Sequence, residues 1–298
     1  MAKIPYTKPA LAYINQLQQL KSRGLHIEND AKALHLLENI SYYRLSGYWF
    51  PLLQDKQNHI FKSNATFDTA FQLYCFDREL RRLILSELEK IEVAVRAKMI
   101  YVLSHQYGPF WFQNVSLFKN PTSHSDCLNK ISKEFSRSDE EFILAFKNKY
   151  QDPFPPSWML MEIISFGTLS MLYKNLKPSQ YKRAIAHYFG IDDSTFESWL
   201  HAIVYMRNVC AHHTRLWNRT MSIQPRIPKK PRRQWLSHHP TYNNRAFFML
   251  SIIIYLLNIV NPHHSFKNKL FNLFNKYPIV DLKALGFPTY WQSEPLWL

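Results

Sequence analysis

The sequence predicts an all-α fold, a helical bundle carrying one irregular, basic, proline-rich arm, and three observations predict it. Apolar residues recur at three- and four-residue steps through most of the 298 residues. The alternation that marks strands is almost absent. Prolines cluster between the periodic segments, in DPFPPS (residues 152–157) and in SIQPRIPKKPRRQW (residues 222–235). With 46% apolar residues the chain can bury a sizeable core, and it reads as a single domain over 1–298.

The elements follow in order. Pro9 opens a first helix with Leu11, Ile14, Leu17 and Leu20 on one face, and Gly24 caps its end. A second runs from Asp30 through Leu34, Leu37 and Ile40. Between about Thr66 and His105 a long amphipathic pattern places Leu80, Leu83, Ile84, Leu88, Ile91, Val95 and Met99 on one side, with Gly108 and Pro109 as the stop. Shorter helices are expected at 126–135 and 139–149, the second capped by Ser138. Helices at 158–176, 179–189 and 194–211 follow, the middle one closed by Gly190. Pro225, Pro228 and Pro231 make residues 220–240 an extended arm. The C-terminal part, 241–298, holds an apolar helix at 246–260 and a short one at 266–275. Fifteen residues fall short of the ~20 a spanning helix needs, so the apolar helix belongs to the core.

Composition excludes several functions. The six glycines never fall within twenty residues of one another. Phosphate-cradling loops and dinucleotide fingerprints need closely spaced glycines, so nucleotide-hydrolysing and nicotinamide-dependent readings drop out. Cys75, Cys127 and Cys210 are too scattered for a disulfide framework or a cysteine zinc site, which fits a reducing cytoplasm. The net charge of +15 is local: residues 198–280 hold twelve basic side chains and no acidic one. Such a stretch forgoes all local ion pairing, and a nearby polyanion relieves the repulsion. Nucleic acid is the partner this points to.

The densest polar run lies at residues 207–219, RNVCAHHTRLWNR. Cleaving RNA without a metal needs an imidazole to move a proton and a cation to stabilise charge on the phosphate. Arg207 and His212 have the right chemistry, yet a five-residue step separates two side chains by about 140° on an ideal helix. Either the helix ends near Ala211 and the chain turns His212 back, or a symmetric dimer brings one copy's motif against the other's.

This run resembles the motif of HEPN-type ribonucleases, in which a polar residue follows the arginine and a histidine comes a few residues later; here Asn208 fills the polar position. More of the chain is similar to the Abi-like family of bacterial abortive-infection proteins (AbiD/AbiF type). The likeness rests on ISYYRLSGYWFPL (40–52), FDRELRRLILSELEKIEVAVRAK (76–98), YGPFWF (107–112), SWMLMEIISFGTLSMLYKNL (157–176) and the 207–219 run, and spans roughly residues 10–219. The resemblance implies a helical HEPN domain: a metal-independent, cofactor-free endoribonuclease, usually dimeric, that acts on RNA in anti-phage defence or as a toxin held in check by a small structured RNA. It implies Arg207 and His212 as catalytic residues, Asn208 positioning the scissile phosphate or the partner histidine, and His213 as a second proton carrier or a ring bonded to backbone.

Other residues carry weaker signals. Arg44 could contact phosphate while Tyr42, Tyr43, Tyr48 and Trp49 stack on bases, or those rings could be core. Glu162, among apolar neighbours, needs a partner and either orients Arg207 or pairs structurally. Arg215, Arg219, Arg226, Lys229, Lys230, Arg232 and Arg233 read as phosphate contacts, interleaved with Trp217 and Trp235. The pairs His238-His239 and His263-His264 lack a nearby carboxylate in sequence, so no metal site is expected. Two competing functions stay open: an RNA-binding module whose arginine and histidine brace a helix end, and a regulator that binds a protein partner through its apolar C-terminal helix.

Overall fold

A computed structural model describes residues 5–238 and 242–298. Among these, twelve α-helices, five short 3-10 helices and one two-stranded sheet are the regular elements, so the all-α class holds. They divide into two compact units, Met1–Leu80 with Asn272–Asp281, and Arg81–Phe271 with Leu282–Leu298.

The first unit contains α1 (Tyr13–Ser22), α2 (Asp30–Ile40), α3 (Tyr42–Trp49), a small hairpin of β1 (Leu53–Asp55) and β2 (Ile60–Phe61), and the start of α4 (Phe67–Tyr107). Helix α1 starts at Tyr13 and not at Pro9. The Gln16 amide donates to the Leu11 carbonyl at 2.9 Å, which satisfies the approaching chain without a further helical turn. Of the expected apolar face only Leu17 and Leu20 are buried, and Leu11 and Ile14 are exposed. Gly24, at φ 88°, ends α1: its N–H bonds Lys21 O and that of Leu25 bonds Leu20 O. This is the double hydrogen bond that a left-handed residue after a helix permits.

Helix α4 is 41 residues long, and its stripe Leu80, Ile84, Leu88, Ile91, Val95 and Met99 is fully buried. In the second unit α5 (Pro121–Arg137) and α6 (Glu141–Lys149) follow. The cap of α5 is Asn120, with Pro121 opening the helix, and Ser138 ends α5 instead of capping α6. The helix expected at 158–176 is two, α7 (Ser157–Ile163) and α8 (Phe166–Asn175). The break is made by tertiary hydrogen bonding: the Glu134 carboxylate accepts the Ser165 N–H at 2.8 Å, while the Ser165 hydroxyl accepts that of Thr168.

Helix α9 (Gln180–Tyr188) leads into α10 (Asp193–Ala211), which packs against α8, α9 and α11 (Ala246–Val260). Twelve consecutive residues of α11 are buried. Its one serine is satisfied inside the core, donating to Phe247 O and accepting from the Trp297 indole at 3.0 Å. Helix α12 (Phe266–Lys276) follows. Among the described residues no helix is long and apolar enough to cross a membrane.

Candidate functional site

The 207–219 run sits at the end of α10 and in the loop after it. The helix begins on Asp192, whose carboxylate accepts from the Thr195 N–H at 2.9 Å and from the hydroxyls of Ser194 and Thr195 at 2.6 Å. Burial pushes that carboxyl up, but these hydrogen bonds outweigh it and hold it below its ordinary value. Phe196, Trp199, Ala202, Ile203, Met206, Val209 and Cys210 form the buried side of the helix. His201, Arg207 and Asn208 lie on the opposite, exposed side, with Tyr205 half-buried at its edge.

The helix does end at Ala211, as one of the two sequence alternatives requires, yet the turn falls one residue too late to bring His212 back. His212 keeps near-helical angles, φ −84° and ψ 12°. The reversal occurs at His213, φ 55°, where His213 N–H bonds Cys210 O at 3.1 Å and Thr214 N–H bonds Val209 O at 3.0 Å. This repeats the ending of α1, with histidine where α1 has glycine. His212 therefore stays about 140° around the helix from Arg207, with Asn208 between them. Arg207, Asn208 and His212 are all exposed, and among the described residues neither the Arg207 guanidinium nor the His212 ring has a hydrogen-bond partner.

The loop is anchored from below. Leu216 and Trp217 are buried, and Asn218 takes φ 51°. Arg219 donates to Arg215 O at 3.4 Å and to the Tyr205 hydroxyl at 3.1 Å. Burial alone raises the Tyr205 phenol, but hydrogen bonds with Ser222 and Arg219, and the Arg219 charge, more than reverse it. Arg219 is thus half-buried and engaged with protein, as the sequence reading of a phosphate contact did not foresee. Tyr205 was missed altogether. The available signal was its spacing: seven residues before His212, it falls on the same side of the helix.

The proline-rich arm is irregular but tightly held. The Trp199 indole donates to Arg226 O at 2.8 Å, Arg226 N–H to the Ser198 hydroxyl at 2.9 Å, and Arg232 N–H to Gly190 O at 2.8 Å. Gly190, at φ 70°, must be glycine, because a Cβ there would lie 2.6 Å from the Tyr255 hydroxyl. Trp235 packs on Trp199, Tyr255 and Phe248, and Trp217 is also in the core, so neither tryptophan can stack on a base as its place among the cations suggested. The cations face outward instead: Arg226, Lys229, Lys230, Arg232 and Arg233 are exposed.

Other candidates separate from the motif. Glu162 is exposed on α7, so water meets its need for a partner, and no bond joins it to Arg207. Tyr48 and Trp49 are core residues, Tyr42 is half-buried, and Tyr43 and Arg44 are exposed. His239 lies outside the described residues. His238 does face a carboxylate, one remote in sequence: Glu294, buried, accepts from the His238 ring at 2.8 Å and from Ser237 N–H at 2.6 Å. His264 accepts the Phe266 N–H at 3.2 Å and pairs with Asn258 at 2.8 Å. Among the described residues no three His, Cys, Asp or Glu side chains gather as a metal site would need.

Residues 35–218 match the family described as Abi-like protein. The chain belongs to that family. The match runs from within α2 to the loop after α10, so the family's common part closes on the 207–219 run and leaves the basic arm, α11 and α12 outside. No curated protein and no solved structure matches the chain. Membership places this Abi-like protein among proteins named for abortive infection.

Proposed function

We propose that this Abi-like protein is a HEPN-type, metal-independent endoribonuclease that cuts single-stranded RNA in the bacterial cytoplasm, in abortive-infection defence or as the toxin of a toxin–antitoxin pair. The observation that carries the reading is a contrast between the end of α10 and the loop after it. His213 and Arg219 are committed to backbone geometry and to Tyr205, whereas Arg207 and His212 stand exposed and, among the described residues, make no hydrogen bond or ion pair. A helix-end brace needs such bonds.

The angle between them supports a homodimer as the working form. Helical spacing turns the two groups away from each other within one copy, whereas two α10 ends related by a two-fold axis can bring them to one phosphate. In that arrangement a His212 imidazole accepts the 2′-hydroxyl proton as O2′ attacks phosphorus. The 5′-oxygen leaves with a proton from the other copy's imidazolium, while Arg207 balances charge on the phosphoryl oxygens. Asn208, between the two, holds the phosphate or the facing ring. The outward cations of the arm supply sequence-independent affinity for the strand.

The test is expression of the wild type against Arg207→Ala and His212→Ala, reading growth together with tRNA and rRNA integrity. Cleavage in EDTA leaving 2′,3′-cyclic phosphate, lost in both variants, is the expected result. Cleavage that persists in both variants, or disappears with chelator, overturns it.

A further inference from the structure

The first unit carries a cavity of about 910 Å³, remote in sequence from the 207–219 run and lined by α1, α3, the hairpin and the chain ahead of α1. That size is within the range of small-molecule sites. One wall is aromatic: Tyr42 meets Trp49 edge to face at 5.1 Å, with Phe61 beside them. At the rim Tyr43 is 89% exposed and Phe50 45% exposed, large rings left open to solvent.

The charged side chains of this cavity have one sign. Lys8 and Arg23 line it and, among the described residues, no aspartate or glutamate does. Arg23 donates to the Tyr42 hydroxyl at 3.0 Å, which holds its guanidinium against the aromatic wall. Lys56 stands over the Phe50 ring at 5.5 Å, adding a cation at the mouth.

The wall also stores strain. Ser41, between α2 and α3, has φ 80° and ψ 147°, a conformation that is ordinarily glycine's, and His59 has φ 57°. Both line the cavity, and strained positions of this kind cluster at ligand sites.

An apolar ligand would leave the cations without a counter-charge; a bare anion would have no use for the aromatic wall. A flat heterocycle joined to phosphate satisfies both. We propose that this cavity binds a nucleotide, its base against Tyr42 and Tyr43 and its phosphate at Arg23 and Lys8, either as a free mononucleotide or as an unpaired residue of an RNA strand. The proposal stands on the cavity's chemistry and not on the nuclease reading.

The experiment is isothermal titration of the full chain carrying Arg207→Ala and His212→Ala, so that no strand can be cut by that motif, with AMP and with a short single-stranded oligoadenylate. Binding of either probe is expected to weaken about tenfold in Tyr43→Ala and in Arg23→Met, the size of a lost stacking or phosphate contact. AMP binding that falls in both variants identifies a free nucleotide. Strand binding that falls without AMP binding identifies an unpaired RNA residue. Because Tyr43 is exposed, its variant decides the matter if Arg23→Met fails to fold. The proposal is overturned if neither probe binds, or if Tyr43→Ala binds both as the parent does.

Discussion

Arg219 reaches back 14 residues to place Nη2 at 3.1 Å from the Tyr205 hydroxyl, with its guanidinium 5.9 Å from the ring centre. The contact ties the loop carrying Trp217 to the last turns of α10, on the side of the helix that His212 shares. Removing either partner frees the loop end, and we expect Tyr205→Phe and Arg219→Met to cost about 1 kcal/mol each, because the pair is only partly shielded from water. A double-mutant cycle by chemical denaturation should show that the costs do not add. Independent, additive costs would mean that the contact does not form.

His213 occupies the left-handed position that Gly24 fills after α1 and Gly190 after α9. A residue with a Cβ is strained there, so His213→Gly should stabilise the protein by roughly 0.5 to 1 kcal/mol. Thermal melting measures this. The same variant separates two roles for the ring: cleavage that survives His213→Gly removes it as a proton carrier, and cleavage lost with stability gained assigns it one.

The exposed arm cations make a third test. Replacing Lys229, Lys230, Arg232 and Arg233 together by glutamine should leave the melting temperature unchanged, since their side chains face solvent. If all four meet phosphates, the logarithmic salt slope of single-strand RNA binding should become shallower by about 3. An unchanged slope places the arm away from the RNA.

How far the sequence could be read depended on whether an element is set by its own residues or by distant ones. The α4 stripe was legible because Leu80, Ile84, Leu88, Ile91, Val95 and Met99 repeat at helical steps and meet the core; Leu83, expected with them, is only half-buried at the edge of the stripe. The break between α7 and α8 was not, because Ser165, though a good cap for α8, also fits inside an apolar helical run; the break depends on Glu134, 31 residues away. The hairpin was missed because strands of three and two residues are too short to alternate. At the candidate site the motif was plain, but the direction of its side chains was not. Whether Trp217 and Trp235 stack on RNA or on protein depends on Trp199, Tyr255 and Phe248, which composition cannot place beside them. Arg219 reads as a free cation until Tyr205 is found under it.

Three tyrosines make the fold sensitive to alkali. Burial raises the phenols of Tyr173, Tyr255 and Tyr277 above the ordinary 10.0, and the Glu79 carboxylate facing Tyr277 adds to the rise there. Each donates its proton in the fold, Tyr173 to Lys182 O, Tyr255 to Gly190 O and Tyr277 to Glu79 at 2.7 Å. A folded value above the unfolded one means stability fully present below pH 10 and lost as pH climbs toward the folded values. Lys182 acts with the opposite sign: burial lowers it from 10.5, against the pull of Glu197 at 3.1 Å, so losing its proton favours the fold. Lys182 and the lowered Tyr205 phenol are set against these three phenols, the raised phenol of Tyr42 and the raised thiols of Cys75 and Cys127, and the net effect is loss. The melting temperature should therefore be level near neutrality and fall steeply above about pH 10. Tyrosinate absorbance should rise in two stages, the second coinciding with unfolding by circular dichroism. A single stage completed while the protein is still folded would mean that these phenols are open to water.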